Sequence, residues 1–206
     1  MAHSPYPIPE ATLSWEQEIK KSRFIAHLAH TPDPGAAKAF IASIRESDQN
    51  AAHHCWAFIA GAPGDSQALG FSDDGEPSGT AGKPILAQLQ GSGLGEITAV
   101  VSRYFGGIKL GTGGLVRAYG GTVAHALSRL DTRERLIMER LSLRAEYSDM
   151  ALLEGLLTQS GTHWERVDYG VLVSGVLLVD ARSLDSLCQQ IRDRTQGRVV
   201  ARPVTD

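Results

Sequence analysis

The sequence predicts two α+β domains, residues 1–132 and 133–206. Three observations predict it. The last third of the chain shows a short, ordered alternation of strand and helix patterns. The first two thirds carry a longer series of both. Glycine crowds into the earlier region alone. With 206 residues, 42% apolar and 21% charged, the chain can bury two small cores, and disorder is not expected.

In the last third, residues 134–147 alternate, with Ile137, Leu141, Leu143 and Ala145 on one side, as a half-buried strand does. Ser148 is the expected N-cap of a helix carrying Leu152, Leu153, Leu156 and Leu157, stopped at Gly161. Strands over 164–169 and 171–180 form a hairpin, Ser183 opens a second helix that ends at Gly197, and Val199 and Val200 begin a last edge strand before Pro203. The order β-α-β-β-α-β is the ferredoxin-like plan.

In the first part, strands over 13–19 and 23–29 flank a turn at Lys20-Lys21-Ser22. Asp33 caps a helix with Pro34 at its first position and Phe40, Ile41 and Ile44 inward. A buried strand runs over 55–60, and a helix over 83–89 tolerates Pro84 in its first turn. A core strand follows over 97–105. The longest helix covers 115–130, with Leu115, Tyr119, Val123 and Leu127 on one stripe.

Net charge is −3, which excludes coating of nucleic acid by bulk charge but not a local basic patch. Two cysteines, Cys55 and Cys188, exclude a disulfide framework or zinc cluster, and no cofactor or metal is expected. The first ten residues show no signal-peptide pattern, and the longest apolar runs are far too short to span a bilayer. A reducing cytoplasm is the expected compartment.

Fourteen of the 22 glycines lie between Gly70 and Gly121, and their entropic cost demands a reason. The densest stretch is Tyr104-Phe105-Gly106-Gly107-Ile108-Lys109-Leu110-Gly111-Thr112-Gly113-Gly114, leaving a core strand and entering the longest helix. Free amides at such a helix start suit an anion. Between residues 79 and 129 five cations, Lys83, Arg103, Lys109, Arg117 and Arg129, face a single carboxylate, Glu96. Two readings stand: a phosphate- or nucleic-acid-binding surface, or tight turns with a solvated cationic face. Walker A and G-x-G-x-x-G spacings fail, because Pro84 follows Lys83 and because Glu96 and Val116 take the final glycine positions.

Upstream, Asp73, Asp74 and Glu76 stand near Lys83. They suit Mg2+ for phosphate chemistry, or equally Asx turns and a polar loop, and the structural reading is preferred. His53 and Cys55 share a strand face, where a thiol nucleophile or ligand pair is the less favoured reading and a buried cysteine the preferred one.

Four blocks of the first domain, residues 20–24, 52–56, 73–82 and 103–111, closely resemble the IMPACT family in its bacterial YigZ-type branch. The resemblance implies a first domain like domain 2 of ribosomal protein S5, with helices on one side of a sheet. It implies a second domain like the ferredoxin-like end domain of elongation factor G. Family members in eukaryotes act in translation control with an additional N-terminal domain, which this sequence lacks. No catalytic residue is carried over. The expected function is a non-enzymatic, translation-associated binding protein that meets RNA or a ribosome-associated factor through the glycine-rich basic surface. The alternative is a small enzyme acting on a phosphorylated or nucleotide-like substrate with Mg2+.

Overall fold

The structure, a computed structural model, describes residues 5–204. Residues 1–4 and 205–206, which include part of the segment read as lacking a leader, lie outside it. The chain divides into two units after Arg135 rather than after residue 132. The cause is a pairing that local pattern does not reveal. Strand β1 (Tyr6–Pro9) pairs antiparallel with β7 (Thr132–Arg135), so the segment expected to open the second domain completes the first. Buried Glu96 fastens this ribbon to the sheet, accepting from Tyr6 Oη at 2.9 Å and Arg135 Nε at 3.1 Å and bonding His30 Nε2 at 2.5 Å.

The first unit is built on a five-stranded antiparallel sheet. Its strands are β2 (Leu13–Ile19), β3 (Ser22–His30), β4 (His53–Ile59), β5 (Leu69–Ser72) and β6 (Ile97–Tyr104). Their spatial order is β2-β3-β6-β4-β5. Ala26, Leu28, Cys55, Ala57, Ile97, Ala99 and Val101 point to one face, covered by α2 (Gly82–Ser92) and α3 (Thr112–Leu127). Helix α1 (Pro34–Ser47) covers the other, with Ala37 and Ile41 against Phe58 and Val100. Helices therefore lie on both faces, not on one. The reason is in β6, whose first seven residues are all buried, so neither face can be left to water. Asp33 caps α1 as expected, its Oδ1 accepting from the Ala36 amide at 2.8 Å.

The second unit contains β8 (Met138–Ala145), α4 (Tyr147–Gln159), β9 (His163–Tyr169), β10 (Val173–Asp180), α5 (Leu184–Arg194) and β11 (Arg202–Pro203). All pairings in its sheet are antiparallel, in the order β11-β8-β10-β9. Leu141, Leu143, Val173, Leu177 and Val179 pack against Leu153, Leu156, Leu157, Leu187 and Ile191 of the two helices. Two local expectations change. Helix α4 starts at Tyr147 rather than after Ser148, and Asp149 in its first turn is buried against Arg198 at 2.7 Å. The last strand lies at 202–203, paired with Ser142 and Leu141 of β8, and Val199 before it is fully buried in the core. No helix among the described residues is long and apolar enough to cross a membrane.

Candidate functional site

The β2–β3 hairpin closes on two residues, Lys20 and Lys21, with φ of +47° and +64°. A two-residue hairpin of this handedness favours Asn-Gly. Two lysines there each cost roughly 1–2 kcal/mol of left-handed backbone strain. Both side chains are exposed. Gly106 lies directly against this turn. A Cβ on it would stand 1.9 Å from the Lys21 carbonyl oxygen, and its amide donates to Ser22 Oγ at 3.2 Å. The hairpin tip and the glycine-rich loop thus form one surface.

The loop enters α3 through Gly111, whose φ of +73° only glycine adopts without strain. Gly111 has no side chain to cap the helix, and no acidic residue occupies the first turn. The first internal bond runs from the Leu115 amide to the Gly111 carbonyl at 2.9 Å. The amides of Thr112, Gly113 and Gly114 meet no acceptor among the described residues. Gly111, Thr112 and Gly113 are exposed, as are Gly107, Lys109 and Arg117 beside them. The helix dipole therefore adds positive potential to a cationic rim. Phe105, Ile108 and Val116 expose apolar surface on the same stretch.

Arg103, read from the sequence as part of this surface, belongs to the interior. It is 6% exposed, and its Nη1 donates to Glu76 Oε1 at 2.5 Å. Tyr119 Oη donates to the same oxygen at 2.7 Å. The guanidinium lies between the Phe24 and Phe105 rings, 5.5 and 5.6 Å from their centres. Tyr104 is half-buried beneath Arg23, 4.3 Å from its ring. Arg129 stacks on Trp15 at 3.8 Å. Lys83 remains exposed in the first turn of α2. Lys20 and Lys21 are the cations that sequence reading passed over as a mere turn. The short gap between the two alternating strands is the sign that both sit at an exposed tip.

The acidic loop has the opposite character. Asp73 accepts from the amides of Gly79, Ala81 and Gly82 at 2.8–2.9 Å, capping α2 from outside because Ala81 cannot. Burial pushes the Asp73 carboxyl up, but the three amides and the Lys83 charge outweigh it and hold it below its ordinary value. Asp74, at φ +41°, accepts from the His54 amide at 2.7 Å and from Arg45 Nη2 at 2.6 Å. Its carbonyl bonds His53 Nδ1 at 2.8 Å. Among the described residues no three His, Cys, Asp or Glu side chains converge where a metal could sit, so the Mg2+ reading of Asp73, Asp74 and Glu76 gains no geometric support. Cys55 is fully buried, donates to the Asp73 carbonyl, and burial pushes its thiol up to about 12, far from a nucleophile's range.

Comparison with known proteins matches residues 20–127 to the Impact N-terminal domain and 143–198 to a domain of unknown function, DUF1949. The chain belongs to the IMPACT family. It is 51% identical to the IMPACT family member YigZ of Escherichia coli K12, over 92% of this chain and 93% of that one. It is 37% identical to the IMPACT family member YvyE of Bacillus subtilis 168, over 96% and 90%. A crystal structure described as that of a hypothetical protein is 48% identical, covers 99% of each chain and superposes with a TM-score of 0.73. The IMPACT match begins at Lys20 in the strained turn and ends at Leu127, the last residue of α3. It therefore encloses both faces of the candidate surface and leaves out the β1–β7 ribbon.

Proposed function

We propose that this chain is a translation-associated binding protein whose first unit contacts single-stranded RNA through Lys20, Lys21, Lys109 and Arg117. The open amides of α3 and the exposed Phe105 and Ile108 complete the surface. The observation that carries the reading is the Lys20-Lys21 turn. A strained backbone that presents two cations beside an uncapped helix start has no benefit to folding, and strain of this kind collects at functional positions. The likeness of the sheet with α2 and α3 to domain 2 of ribosomal protein S5 supports the reading, by analogy only. So does the ferredoxin-like order of the second unit, which resembles the end domain of elongation factor G.

Salt titration of binding to an oligouridylate tests it. The four phosphate contacts contribute about −2.8 to the slope of log K against log salt, which by itself lowers affinity roughly 50-fold from 50 to 200 mM. Lys20→Ala with Lys21→Ala should reduce the slope by about 1.4. A salt-independent affinity, or no binding at 50 mM, overturns the RNA reading and turns the search to a ribosome-associated protein.

A further inference from the structure

The helix-free face of the second unit's sheet carries a site that the first unit's surface does not account for. Along one register row lie Arg202 of β11, Ser142 of β8, Val176 of β10 and Arg166 of β9. The next row places Arg144, Ser174 and Asp168 side by side. These residues line a concavity of about 910 Å3 whose floor is kept low by Ser142 and Ser174. Arg144, Arg166 and Arg202 are exposed and form no ion pair with a carboxylate among the described residues. Arg140 on the same face is bound to Glu165 at 2.7 Å, so that pair is internally balanced. Among the described residues Asp168 is the only acid on the lining, which leaves the lining side chains positive by two charges.

We infer that this arginine-rimmed sheet face is a second binding surface for the phosphate backbone of single-stranded RNA. Arg202 and Arg166 stand three strand steps apart, about 14 Å at the backbone. A concavity that wide with cations on three strands suits a chain of phosphates better than a single one. No aromatic side chain lines it, so it offers guanidinium-to-phosphate contacts and no base stacking, and recognition is independent of sequence. The inference uses the ligand class of the first-unit reading but none of its residues.

The test compares the full chain with the triple variant Arg144→Gln, Arg166→Gln, Arg202→Gln, using oligouridylate and oligoadenylate over 50–200 mM salt. Circular dichroism and melting verify that the variant is folded. The expected result is a slope shallower by about 2 for both oligomers, in the wild-type background and in the Lys20→Ala, Lys21→Ala background alike. Loss in the wild-type background with an unchanged lysine-variant slope would mean that the face acts only through the first surface, and overturns it as an independent site. An unchanged slope in both backgrounds overturns it outright. Binding of polyglutamate with no binding of RNA, abolished by the triple variant, assigns the face to an acidic protein and also overturns it.

Discussion

Two loops of the first unit look alike in sequence, and the structure uses them in opposite ways. Residues 73–82 and 104–114 are both rich in glycine, and both lead into a helix of the same face. In the first loop every carboxylate is bonded to the protein: Asp73 caps α2, Asp74 ties α1 to β4, and Glu76 neutralises Arg103. In the second, the helix start has no cap and the neighbouring cations point to solvent. Composition does not distinguish a loop that builds the fold from one that faces a partner. The accounting of each polar group's bonds does.

The largest effect that would test this contrast is at Glu76. Glu76→Ala strands the Arg103 charge and the Tyr119 hydroxyl in the core, and should cost about 3–5 kcal/mol in urea unfolding. A loss below about 1 kcal/mol would mean that the triad does not hold the unit together. Next comes Asp73. Asp73→Ala removes a cap with three amide bonds and should cost about 2 kcal/mol. Because the folded Asp73 carboxyl titrates below its unfolded value, its contribution is complete above the unfolded pKa, near 4, and fades as pH falls toward the folded one. The Asn variant should therefore show a flatter stability profile below about pH 4 than the parent. An unchanged acid limb would remove Asp73 from the capping role.

The smallest effect is the sharpest. Lys20→Asn with Lys21→Gly gives the hairpin its favoured turn residues and should raise stability by about 1 kcal/mol while weakening RNA binding. A gain in stability with full RNA affinity would leave the strained lysines without a function. A loss of stability would show that their conformation is not strained at all.

What the sequence made legible was local. The Asp33-Pro34 cap, the Gly161 stop and the Leu115, Tyr119 and Val123 stripe depend on neighbours within one or two turns, and all stand where expected. The start of α3 was placed three residues late because Gly113 and Gly114 read as loop, although the helix begins at Thr112. Arg103 was misplaced for a non-local reason. A charge at the end of a strand reads as solvent-facing, whereas its partners, Glu76 and the Phe24 ring, stand 27 and 79 positions away along the chain. Strand β1 was invisible because Pro7 and Pro9 break any strand pattern, and only its distant partner β7 defines it. Edge strands made by such pairing carry no periodicity to read.

The β1–β7 ribbon also sets an order of assembly. Tyr6–Pro9 leaves the ribosome before the sheet it borders, yet it cannot pair until Thr132–Arg135 has emerged more than 120 residues later. The nascent first unit must therefore hold an unzipped margin through nearly all of its synthesis. A fragment truncated at residue 130 would keep that margin permanently open, whereas one extended to 135 would close it.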